Sequence, residues 1–148
     1  MESWRNYELR ITNYERRIRN FNTNDECQKV KKDNVLQEKS YAFALRIVKA
    51  YQYLCTEKRE YVLSKQLLRA GTSIGANVEE SLGGQSDKDF ISKISIAYKE
   101  GRETHYWIRL LKDSGYLTDS QTNSLLSDCE ELLKIIGSIQ KTLKNRNS

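Results

Sequence analysis

The one histidine of this 148-residue chain, His105, is its first candidate for acid–base or metal chemistry. It follows Ile91 and Tyr98 at intervals of seven, which puts the three on one side of a helix. A lone histidine on such a stripe is more often packed or hydrogen-bonded than a ligand. One class of helical RNA-cutting enzymes pairs an arginine with a histidine across a longer gap than Arg102-Glu-Thr-His105 provides, so that motif is not met. No Ser/His/Asp or Cys/His arrangement can be built, because no second base stands near a plausible nucleophile. The carboxylate pairs Glu79-Glu80 and Glu130-Glu131 are adjacent residues, which diverge by about 100° on a helix and cannot embrace one bond. Gly83-Gly84 lacks both the following Lys-Ser/Thr and the preceding strand of a phosphate loop. Cys27, Cys55 and Cys129 are far apart, and no pair has metal-ligand spacing. These residues predict a protein that is not an enzyme, with no catalytic residues, no metal and no cofactor.

What remains is non-covalent chemistry. Lysine and arginine number 25 against 20 acidic residues, giving a formal charge of +5 and an isoelectric point near 9.1. Such a surplus permits binding to a polyanion through a long-range field and says nothing about fold. The cations concentrate at the C-terminal end, in Lys134, Lys141, Lys144 and Arg146. Lys65 and Arg69, four apart, share one helical face, and Arg102 and Arg109, seven apart, share another. Little aromatic interleaving accompanies them, which predicts phosphate contacts rather than base readout. Asn77 and Glu80 form a separate polar spot. They either hydrogen-bond across helices and fix their register, or line a subunit interface or pore.

The elements that must position these groups are helices. There is no proline, with 38% hydrophobic and 30% charged residues, which favours an all-α chain. Residues 1–33 read as an N-terminal amphipathic helix and a polar linker, and residues 34–148 as a bundle domain. Trp4, Tyr7, Ile11, Tyr14, Ile18 and Phe21 form an a/d seam among arginines, suited to a partner helix or its own domain, or more sharply to a membrane surface. The linker is the polar, aperiodic run Asn22–Asp33. The first bundle helix runs from about Val35 to Cys55 and has two apolar seams. One is Tyr41, Ala44, Val48, Tyr51 and Cys55; the other is Phe43, Ile47, Ala50 and Leu54. So wide a face suits contact with two neighbours. The second helix starts near Arg59. Gly71 and Gly75 thin it, each at a cost of up to about 1 kcal/mol, which is tolerated where another backbone comes close. Gly83-Gly84 is expected to end it in the left-handed conformation.

Ser86 caps the third helix, whose seam is Phe90, Ile94, Ala97, Gly101, Thr104, Ile108 and Leu111. Gly101 and Thr104 keep it slim where the second helix is slim, and Gly115 stops it. Thr118-Asp-Ser-Gln121 is a capping box for the fourth helix, with Leu125, Cys129, Leu132, Ile136, Ile139 and Leu143 along its seam. Short loops force antiparallel neighbours, and an up-down-up-down antiparallel four-helix bundle results. No signal peptide and no transmembrane run stand out, so a reduced, cytoplasmic protein without a membrane contact is expected.

Several of these residues resemble a known family. Ser64-Lys-Gln-Leu-Leu-Arg-Ala, Ser73-Ile-Gly-Ala-Asn77-Val-Glu-Glu80, Gly84, Ser86-x-x-Asp89-Phe90, Ile96-Ala97, Glu103-Thr104, Trp107-x-x-Leu110-Leu111 and Gly115-Tyr-Leu are similar to the four-helix bundle proteins encoded in intervening sequences of bacterial 23S rRNA genes. That family includes the accessory variability determinant of diversity-generating retroelements. The likeness covers about Val35 to Leu143 and is most specific at Ser73, Ile74, Asn77 and Glu80. Ser81 stands where the family usually has glycine, and the Trp4–Phe21 segment is outside the usual domain. The resemblance implies a left-handed bundle that assembles as a ring, often a homopentamer. Its retroelement branch implies a basic ring that binds RNA or DNA and a reverse transcriptase. The function expected is thus a non-catalytic oligomer that holds nucleic acid through basic surfaces. The alternative is a protein-interaction scaffold without direct nucleic-acid binding.

Overall fold

The computed structural model describes residues 25–147, with side chains from residue 35 onward. The chain divides into two compact units, Met1–Asn34 and Val35–Ser148. The Trp4–Phe21 seam lies outside the described residues. Four helices follow in order: α1 (Asp25–Thr56), α2 (Leu63–Leu82), α3 (Asp87–Asp113) and α4 (Asp119–Arg146). Among the described residues there is no strand.

Helix α1 starts ten residues before the expected Val35, so most of the run read as a linker is helical. From Asp25 to Thr56 the sequence holds neither glycine nor proline, and lysine, glutamine and glutamate sustain a helix without any apolar period. Once the apolar half is helical, each further residue adds a hydrogen bond without a new nucleus. Of the two expected seams, Phe43, Ile47 and Leu54 enter the core together with Leu36 and Ser40. In the other seam Ala44, Val48, Tyr51 and Cys55 are half-buried, and Tyr41 stays 64% exposed. The second neighbour is met through polar groups instead: Arg46 donates to the Ser124 carbonyl at 3.1 Å and to Asp128 at 2.6 Å, and Lys39 pairs with Glu131, all on α4.

The α1–α2 turn sets where α2 begins. Arg59 takes a positive φ of 51°, so it cannot open a helix, and Glu60 folds its carboxylate under the next turn. One oxygen accepts from the amides of Val62 and Leu63 at 3.0 and 2.8 Å, and the other from that of Ser64 at 2.6 Å. Three otherwise unpaired amide donors are thereby satisfied, and α2 starts at Leu63 rather than near Arg59. Gly71 and Gly75 face α1. A Cβ on Gly71 would lie 2.7 Å from the Ile47 side chain, and one on Gly75 would lie 3.2 Å from the Ser40 carbonyl oxygen. The end of α2 differs from expectation. Gly83 has φ −90° and ψ 1°, not the left-handed conformation, and its amide reaches the Glu79 carbonyl at 3.3 Å.

Ser86 caps α3 by accepting from the Asp89 amide at 3.2 Å. Gly115, with φ +86°, ends it in a Schellman motif, in which Tyr116 N–H reaches the Leu111 carbonyl and Gly115 N–H that of Lys112. Thr118 and Gln121 form the reciprocal capping box of α4. Gly101 turns mainly toward α4, where a Cβ would meet Leu133 at 2.8 Å; Ile74 of α2 is farther, at 3.8 Å. The bundle is therefore slimmed at two places, α2 against α1 and α3 against α4, rather than at one shared crossing.

Contacts fix the topology. Gln37 reaches Glu79 while Cys55 lies beside Ser64, so α1 and α2 run antiparallel. Glu80 pairs with Lys93 while Arg69 pairs with Glu100, so α2 and α3 do too. Ser95 meets Gln140 and His105 meets Glu130, which makes α3 and α4 antiparallel as well. The result is an antiparallel four-helix bundle around Leu36, Phe43, Ile47, Leu54, Leu67, Ile74, Ile94, Ile108, Leu111, Leu132 and Ile136. Each of these large side chains contributes about 1.5–3 kcal/mol by leaving water.

Candidate nucleic-acid interface

Helix α3 is buried through Ile94, Ala97, Gly101, Thr104, Ile108 and Leu111, which fixes what its outer side displays. Lys99, Arg102, Tyr106 and Arg109, at spacings of three, four and three, are all exposed and form one ridge. On α4 the outer row toward α3 carries Glu130, Lys134 and Lys141, also exposed. Two contacts hold the two rows side by side. The Cys129 thiol donates to the Gly101 carbonyl at 3.4 Å, and His105 Nε2 lies 3.1 Å from Glu130 Oε1. Arg102 and Lys134 each follow by one residue the Gly101 and Leu133 that touch, so they emerge at the same level on the same side of the groove.

Four of the expected cations thus share a surface: Arg102 and Arg109 from α3, Lys134 and Lys141 from α4. Lys144 extends it along α4 by a further turn. None of these five forms an ion pair among the described residues, whereas Glu130, the acid in their midst, is engaged by His105. The other three lie elsewhere. Lys65 is exposed at the start of α2, and Arg146 ends α4. Arg69 is exposed but committed, for its guanidinium pairs with Glu100 at 3.3 Å and with Glu103. Arg69, and then the Trp107 indole N–H at 3.1 Å, hold the Glu103 carboxyl below its usual range. A guanidinium shared between two carboxylates offers little net charge to a phosphate.

Sequence reasoning missed Lys99 and Tyr106. The signal was present, since both fall in the three-four-three spacing that includes Arg102 and Arg109.

The two residues of the polar spot on α2 part ways. Asn77 donates to the Ser73 carbonyl of its own helix at 2.8 Å rather than across to a neighbour. Glu80 does cross, to Lys93 of α3 at 2.5 Å. Gly71 and Gly75 are buried against α1.

The chemistry available is electrostatic. Burial first, and then Glu130 and Asp128, push the Cys129 thiol up to about 12, so it remains protonated and is no nucleophile at neutral pH. No cluster of three or more metal-ligating side chains occurs among the described residues, and none of the helices they form is long and apolar enough to cross a membrane.

Comparison with known proteins places this geometry. The family model of the 23S rRNA-intervening sequence protein matches residues 32–138. A crystal structure from Bacteroides thetaiotaomicron VPI-5482, described as a protein with unknown function from the S23 ribosomal protein family, is 50% identical. It superimposes with a TM-score of 0.74 over 74% of this chain and 98% of that one. No curated protein matches. Neither match concerns a retroelement protein. With the family model spanning the greater part of its length, the chain belongs to the 23S rRNA-intervening sequence protein family.

Proposed function

We propose that this protein is a non-catalytic, self-associating RNA-binding bundle, acting in the cytoplasm, whose α3–α4 face holds the phosphate backbone. The observation that carries the reading is the convergence of Arg102, Arg109, Lys134 and Lys141 on one surface, with the nearby Glu130 in hydrogen-bond contact with His105 rather than with any of them. Cations free of protein carboxylates can replace the counterions of a polyanion, and copies of the face around a ring, as in the homopentamer the family likeness implies, would add their fields. RNA is the first choice of ligand and DNA the second.

The test is a binding isotherm for structured RNA as salt rises from about 50 to about 200 mM, across which several phosphate contacts should cost orders of magnitude in affinity. A flat response, or no binding at the low end, removes the reading. Mass in solution with and without RNA tests self-association in the same samples.

A second reading rests on α1, where Tyr41 and Leu45 lie four apart and are 64% and 47% exposed. Such an apolar pair on an outer helical face suits contact with protein, so a scaffold without direct RNA binding is the alternative. An oligomer that ignores RNA at all salt concentrations would favour it.

A further inference from the structure

We propose that Tyr106 is a stacking platform for an unpaired base, so that the α3–α4 face prefers single-stranded to double-stranded RNA. This inference rests on the nucleic-acid reading above and adds a specificity that phosphate contacts alone do not supply.

Tyr106 is 48% exposed, and its surroundings set it apart from the exposed tyrosine of α1. Tyr41 has Gln37 and Glu38 on the preceding turn and Ala44 and Leu45 on the following one, so no cation flanks it along the helix. Tyr106 has Arg102 one turn before it and Arg109 one turn after, both exposed. An aromatic ring between two guanidinium groups matches the repeat of a single strand, in which a base face alternates with charged phosphates.

The ring is also held in place. It meets Trp107 edge-on, with centroids 5.0 Å apart and planes at 72°. The indole N–H of Trp107 is fixed on Glu103, and Glu103 on Arg69 of α2. A platform oriented before the ligand arrives loses less freedom on binding than a loose one. In an A-form duplex the base faces are stacked inside the helix and unreachable, so the tyrosine can act only on an unpaired strand.

The experiment compares a short 5′-labelled oligoadenylate with an RNA duplex of equal length, by fluorescence anisotropy at low salt, on the full chain. Tyr106→Ala should weaken oligoadenylate binding about tenfold while leaving the duplex within about twofold, in line with the range for losing one base stack. Tyr106→Phe, which keeps the aromatic face, should bind oligoadenylate like the wild type. Far-UV circular dichroism establishes that the helices of each variant are intact. Equal oligoadenylate affinity in Tyr106→Ala and wild type overturns the inference, as does an equal loss on oligoadenylate and duplex. If wild-type protein binds neither nucleic acid, the underlying function fails, and that result is distinct from wild-type binding unaltered by Tyr106→Ala.

Discussion

At the scale of single residues, the α1–α2 turn concentrates the sharpest physical demands. Glu60 is nearly buried yet remains a carboxylate. Burial on its own would raise its pKa, but the amides of Leu63, Ser64 and Val62 and the Ser64 side chain outweigh it and draw the value below the ordinary 4.5. A carboxyl with a depressed folded-state pKa adds stability that is complete above its unfolded value and is lost as the pH falls through the folded one. Glu60→Ala should therefore cost about 1 kcal/mol near neutral pH, the usual loss of a helix cap, and progressively less in acid. Urea midpoints of the two proteins at several pH values would show it; a difference independent of pH would mean that the charge is not what holds the turn.

Arg59 beside it sits in left-handed backbone without being glycine. Arg59→Gly should raise stability by about 1 kcal/mol, readable as a higher melting temperature. Thr122 is the third case, for its hydroxyl is buried without a partner. Thr122→Val removes an unsatisfied group at nearly constant volume and should stabilise by about 1 kcal/mol in urea unfolding. Destabilisation would show that the hydroxyl does have a partner.

At the scale of elements, the helices were largely legible, and so were those ends that a local device marks. The Ser86 cap, the Gly115 stop and the Thr118–Gln121 capping box stand where their spacing predicts, because each is a local device complete within a few residues. The start of α1 escaped because a helix without apolar periodicity carries no signal beyond the absence of breakers. The start of α2 escaped because its cap is a glutamate three residues upstream, a residue type that usually follows a cap rather than providing one. Pairing between helices was harder still. Gly101 and the α2 glycines are alike in sequence, yet they slim different crossings, since seams record which residues are inward and not which neighbour they face. Gly71→Ala should destabilise by about 1–3 kcal/mol, because Ile47 is branched at the point of contact and cannot swing clear. The double variant with Ile47→Ala, which removes both γ carbons that the new Cβ would strike, should lose less than the sum of the two single losses. Wild-type stability in Gly71→Ala would show that α1 and α2 can separate freely at this level.

At the scale of the whole molecule, charge alone does not single out a candidate interface; distribution does. The sequence exposes eight candidate cations as short clusters, and folding sorts them by face. Arg102, Arg109, Lys134, Lys141 and Lys144 gather across the α3–α4 groove, while Lys65 and Arg69 are carried off on α2. Linear spacing recovers pairs on one helix but cannot reveal that Arg102 and Lys134 emerge together, which depends on the antiparallel register set at Gly101 and Leu133. The RNA affinities of single charge reversals should separate accordingly. Lys134→Glu should weaken binding severalfold more than Lys65→Glu at low salt, with the difference fading as salt rises. Equal losses would point to a diffuse field around the entire particle.

The contact series from Arg69 through Glu103 and Trp107 to Tyr106 crosses from one helix to the outward edge of the next. A related protein with a neutral side chain at position 69 would keep every lysine and arginine of the groove but lose the brace behind its phenol. On the reading proposed above, discrimination among strands and raw attraction to them would be governed by separate parts, and evolution would be free to tune one while the other stands still.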